Sequence, residues 1–255
     1  MALDPNVLNP YVLLDPAVAP LASAVFTAAS IALSLVISWY FFRSYRFAGF
    51  GYLLGLPAGF VFLAASFAFE QAGFAYSTDP LLHPAFFWLQ LALQSEALAL
   101  IAISYYFKNA GEQEEGRHRL GIKDAGMILL PLVMVAVPFL LPTSEIASKP
   151  YFNYAKLADF SLYMRVFNMA VLAYIFTNAV SSLAKSGMAK MLYVPAAFAL
   201  LWLEQYSLVM VYFDNSVFAF AGSIIARVGG LALFAYVMHS ATSRRRIEVE
   251  ARKAA

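Results

Sequence analysis

The stretch 217–239, "VFAFAGSIIARVGGLALFAYVMH", carries one fully ionised side chain, Arg227, in a run of otherwise apolar residues closed by His239. A membrane-spanning helix needs about 20 mostly apolar residues, and this stretch meets that length without the strict alternation of a barrel strand. A charge near the bilayer midplane costs at least about 2.5–3.5 kcal/mol. The segment therefore predicts a transmembrane helix whose arginine faces protein and is neutralised there.

Runs of the same kind recur at 21–42, 49–70, 85–107, 125–142, 160–183 and 189–213. The fourth is the shortest and contains Pro131 and Pro138. Apolar residues make up 62% of the 255-residue chain and charged residues only 13%, a composition far from that of soluble domains. The expected fold class is an all-α integral membrane protein: a seven-transmembrane-helix bundle filling residues 1–243 as a single domain, with a basic tail at 244–255. The longest polar stretch, "KNAGEQEEGRHRLGIKD" at 108–124, is too short to fold alone, so any output must pass through a separate membrane or cytoplasmic protein partner. The tail is expected to extend the last helix by a few turns.

Orientation follows from the cations. With the N-terminus outside, the inner segments hold Arg43, Arg46, Lys108, Arg117, Arg119, Lys123, Lys185, Lys190, Arg244, Arg245, Arg246, Arg252 and Lys253. Only Lys149 and Lys156 fall outside, together with Asp4, Asp15, Asp79, Glu145, Asp159 and Asp214. The positive-inside rule then gives an outer N-terminus and a cytoplasmic C-terminus in a multi-pass protein of the cell membrane. The formal net charge of +2 reflects topology and contact with anionic headgroups and implies no nucleic-acid partner. The first span lacks a preceding cation and a small-residue cleavage site, so it does not read as a signal peptide. The absence of cysteine removes disulfides, thiolate metal sites and thiol nucleophiles.

A weak repeat links the two ends of the chain. "LPAGFVFLAASFAFEQ" (56–71) resembles "VPAAFALLWLEQ" (194–205), the second being four residues, about one helical turn, shorter. "EALALIAISYYF" (96–107) then aligns with "GGLALFAYVMHS" (229–240), which sets Gln94 opposite Arg227. The pattern suggests two parallel triple-helix halves joined by the fourth span, as in some carriers; a chance likeness of apolar sequences is the alternative. Three ladders of small residues (Ser30, Ser34, Ser38; Gly51, Gly55, Gly59; Gly222, Ala226, Gly230) fit close helix packing. A ligand groove or the seam of an oligomer is the other use of such ladders. Aromatic residues cluster at both expected interfaces: Trp39, Tyr40, Tyr105, Tyr106, Tyr193 and Tyr236 inside, and Trp88, Tyr163 and Tyr212 outside.

Five ionisable residues lie within the spans. At about 1.5 Å rise per residue, Glu96 and Arg227 come near the centres of the third and seventh spans, and Glu204 slightly outward on the sixth. Glu70 and Arg165 lie in the outer third of the second and fifth. Depth thus predicts Arg227 paired with Glu96, Glu204 or both, and a separate outer pair of Glu70 with Arg165, Asn168 following at helical spacing. Two carboxylates beside one arginine would leave the inner cluster one positive charge short, so that a proton or a cation completes it. Gln90, Gln94, Ser207 and Ser223 mark the remaining polar surface of this candidate ligand, proton or ion site. A static ion pair that fixes helix register is the opposing reading.

Catalysis finds little support. His83 and His118 are expected in loops and His239 at the inner end of the last span, and no metal or nucleophile motif is present. The short run "IARVGGLAL" (225–233) resembles the last helix of the microbial rhodopsins, in which an alanine-lysine-valine-glycine run holds retinal. The resemblance implies seven spans and an outer N-terminus. Arg227 stands where the lysine would be, so covalent retinal is not expected and no cofactor is implied. The third span also lacks the arginine and aspartates of a rhodopsin pump. These observations lead to a non-catalytic, receptor- or sensor-like membrane protein, with a small-solute or proton-coupled carrier, or a structural subunit of a membrane complex, as the alternatives.

Overall fold

In the lipid interior the backbone must satisfy its own polar groups, and long apolar stretches do so as helices. The computed structural model describes residues 19–48, 54–76, 82–111, 154–186, 192–214 and 216–254. These form six helices: α1 (Ala19–Ala48), α2 (Gly55–Ala75), α3 (Leu82–Gly111), α4 (Tyr154–Ser186), α5 (Tyr193–Asp214) and α6 (Val217–Ala254). All six are long and apolar enough to cross a membrane, so the chain is a helical, multi-pass membrane protein. The span expected at 125–142 lies outside the described residues. Pro57 and Pro195 stand in the first turns of α2 and α5, where a missing N–H costs nothing. The last helix runs on through the basic segment to Ala254. Within the described residues the second helix continues past 70, through Glu70 and Gln71, to Ala75.

The helices form a closed ring. Each described helix packs against its neighbours in chain order, α3 against α4 included, and α1 meets α6 to complete the circuit. Side-chain contacts fix the directions. At one end, His83 of α3 bonds to Gly73 of α2 and Ser23 of α1 bonds to Gln71 of α2. At the other, Tyr40 of α1 meets His239 of α6, and Tyr193 of α5 meets Tyr236 of α6. On α4, Asn168 bonds to Gln205 of α5, while Leu172, Ile175 and Ala179 continue toward the second end in the core around Phe60, Phe198 and Phe234. Consequently α1, α3, α4 and α6 run one way, and α2 and α5 the other.

Aromatic packing fills the bundle axis. The Phe234 ring meets Phe198 at 4.7 Å and Phe60 at 5.6 Å, both edge-on, and Tyr105 meets Phe198 edge-on at 5.9 Å. Such pairs add about 0.5–1.5 kcal/mol each beyond area burial. Outward positions such as Leu21, Leu35, Phe167, Val180, Leu203 and Ile225 remain exposed, as suits side chains that meet lipid.

Two close approaches follow the repeat seen in the sequence. A Cβ on Gly59 of α2 would lie 2.8 Å from the Ala97 carbonyl of α3, and one on Gly230 of α6 would lie 3.1 Å from the Ala197 carbonyl of α5. In the repeat register Gly59 matches Ala197 and Ala97 matches Gly230. The same contact therefore recurs in both halves, with the glycine on opposite partners. Phe60 and Phe198, also matched, are both fully buried.

Candidate functional site

Arg227 is held on the inward stripe of α6 with Phe220, Ser223 and Phe234, all buried. Its Nε donates to Glu204 Oε1 of α5 at 2.7 Å, and its Nη1 donates to Glu70 Oε2 of α2 at 2.7 Å. The arginine and Glu204 side chains are 5% and 2% exposed, and Glu70 is 12% exposed. The Phe67 ring lies 4.7 Å from the guanidinium carbon, adding a cation–π contact that gains strength where water is excluded. Short charge-assisted bonds of this kind are about twice as strong as neutral ones.

The outer pair expected of Glu70 and Arg165 is not the one formed. Glu70 reaches Arg227, and Arg165 Nε instead donates to Ser161 Oγ at 3.1 Å, one turn back on α4. Depth counted along straight helices ignored the length of the arginine side chain, which carries its charge well beyond its own Cα. Arg165 nevertheless lies within electrostatic reach of both Glu204 and Glu70. The group therefore contains two carboxylates and two guanidinium ions. It is not one positive charge short, as the pairing of Glu96 and Glu204 with one arginine would have left it.

The glutamine after each carboxylate ties its helix to the one before it. Ser23 Oγ of α1 donates to Gln71 Oε1 at 2.8 Å, and Asn168 Nδ2 of α4 makes a long bond, 3.4 Å, to Gln205 Oε1. Asn168 thus serves Gln205 and not Glu70. Ser23, Phe67, Gln71 and Gln205 were not singled out from the sequence. The matched Glu-Gln endings of the repeat were the signal that pointed to the two glutamines.

The other candidates separate from this group. Glu96 is fully buried on α3, with neither carboxyl oxygen bonded to a described residue. Gln90 and Gln94 are equally buried, and the side-chain oxygen of each has no hydrogen-bonding partner among the described residues. Ser223 Oγ donates to the Phe220 carbonyl at 2.7 Å, and Ser207 lies against Gly222. Both serines therefore serve local helix structure and packing. His83 is not in a loop: it stands in the first turn of α3, buried, with Nδ1 2.6 Å from the Gly73 carbonyl and its ring edge-on to Phe87.

Chemically, the arrangement is a shared cation. One guanidinium bridges two carboxylates from two helices, and loss of charge on either carboxylate leaves the arginine bound to the other alone. No family model, curated protein or solved structure matches the chain.

Proposed function

We propose that this is a non-catalytic, receptor- or sensor-like protein of the cell membrane, in which the Arg227 group responds to a ligand, proton or ion and passes the change to a separate partner. The observation that carries the reading is the double bond of Arg227 to Glu70 and Glu204. These residues close the two matched Glu-Gln helices, so a single cation joins both halves of the bundle. A change in charge or occupancy at this point alters how the halves are held, without any bond-making chemistry.

The proposal includes a seventh span at 125–142, an outer N-terminus and a cytoplasmic tail. Its support is the direction of the helices. The described helices α3 and α4 run the same way, the arrangement that one further crossing between them would produce.

A carrier is the second reading, favoured by the pairing of the repeat, since alternating access commonly rocks one half against the other. Liposomes containing the purified protein and a pH-sensitive dye separate the two. The sensor reading predicts proton flux no faster than in empty vesicles. A sustained flux that disappears in Arg227→Met would transfer the argument to the carrier.

A further inference from the structure

We infer that Glu96 is an intramembrane proton-binding site, separate from the Arg227 group. Gln90, Gln94, Ile101 and Tyr105 share one stripe of α3, and the contact of Tyr105 with Phe198 turns that stripe toward the bundle axis. Glu96 lies about 200° round the helix from Gln94, and Arg227 bonds to Glu204 and Glu70 instead of to it. It is only 2% exposed, and both carboxyl oxygens lack a hydrogen-bonding partner among the described residues. Ser95 Oγ beside it is also unpartnered there.

Neither charge within the spans of the described helices packed on α3 bonds to Glu96. α2 and α4 pack against α3; the charged residue within the span of α2 is Glu70, bonded to Arg227, and that within the span of α4 is Arg165, bonded to Ser161. Among the described residues Glu96 has neither a donor nor a countercharge, and an ionised carboxylate so placed out of water is costly enough that it takes up a proton instead. Glu70 and Glu204, by contrast, each accept a hydrogen bond from the Arg227 guanidinium. The three intramembrane carboxyls thus divide into two that hold a cation and one that holds a proton. This goes beyond the reading of the Arg227 group and does not depend on it.

Infrared spectroscopy of the protein in nanodiscs of ether-linked lipid, which has no ester carbonyl, tests the inference directly, because a neutral carboxylic acid has a carbonyl stretch separate from the carboxylate and amide bands. At neutral pH the wild-type protein should show this band, shifted on transfer to heavy water as the proton exchanges. Glu96→Gln should lose the band entirely, while Glu70→Gln and Glu204→Gln retain it. If Glu96→Gln fails to fold, Glu96→Asp should keep an acid band at a different frequency. A wild-type spectrum without the band, a band unchanged in Glu96→Gln or Glu96→Asp, or a band that never exchanges in heavy water would each overturn the inference.

Discussion

Arg227 sits where a lone charge is most expensive, and its surroundings offset that cost with two carboxylates and an aromatic face. Removing the arginine strands Glu204 in a site that is 2% exposed. Arg227→Ala should therefore lower stability by about 3–5 kcal/mol, the range for breaking a buried pair from one side. Thermal unfolding in a mild detergent, followed by tryptophan fluorescence, would measure it. Arg227→Lys should cost less, because the charge is kept, yet a single ammonium cannot hold two carboxylates in the planar fork geometry. Glu204→Gln should cost about 1.5–3 kcal/mol, as for hydrogen bonds to charged groups, and Glu70→Gln less, since Glu70 is the more exposed partner. Equal losses for the two glutamines would contradict the assignment of Glu204 as the deeper anchor. The sequence alone turned Arg227 inward and offered Glu96, Glu204 or both as its partners, of which the structure forms the bond to Glu204. It misassigned Glu70, because the choice between Arg165 and Arg227 depends on where long side chains bend and not on the depth of their Cα atoms. It also grouped Glu96 with Arg227 by depth, whereas the arginine bonds to Glu204 and Glu70.

Helix contacts in this bundle depend on a few missing side chains. The Cβ of Gly59→Ala would meet the Ala97 carbonyl at 2.8 Å and Ile101 at 2.7 Å. Separating α2 from α3 to relieve this overpacking should cost about 1–3 kcal/mol. Gly229→Ala is the control, because its nearest neighbour would be the end of Leu200 at 3.7 Å, an ordinary contact, so the change should stay within about 0.5 kcal/mol. A similar loss for both variants would show that the close approach does not govern these sites. The ladders Gly55–Gly59 and Gly222–Gly230 were legible in the sequence because small residues at helical spacing have few uses in lipid. Which helix each one meets was not legible, since a ladder reports closeness without naming its partner. The repeat was more informative than either ladder: its register anticipates that the contact of Gly59 with Ala97 returns as that of Gly230 with Ala197.

For the whole molecule, the apolar runs sufficed to identify a helical membrane bundle, while the ring of its described helices in chain order came from the structure. Orientation rests on the cations flanking the spans. A reporter fused after Ala255 that is active only in the cytoplasm should be active, and an inactive cytoplasmic reporter paired with an active external one would reverse the assignment. The central claim is that Arg227 sets how the two halves of the bundle are held. The chain has no cysteine, so spin labels can be introduced cleanly at Leu54 and Leu192, exposed residues at matched positions before α2 and α5. In Arg227→Met combined with Glu204→Gln, one charge of each sign is removed, which spares the deeply buried Glu204 site an unpaired carboxylate and should cost less stability than Arg227→Ala alone. Pulsed electron spin resonance in nanodiscs should then find the distance between the labels changed by more than about 2 Å, the scale of helix shifts in switching proteins. A distance distribution that superimposes on that of the wild type, in a variant that remains folded, would contradict the claim and leave the Arg227 group as fixed architecture.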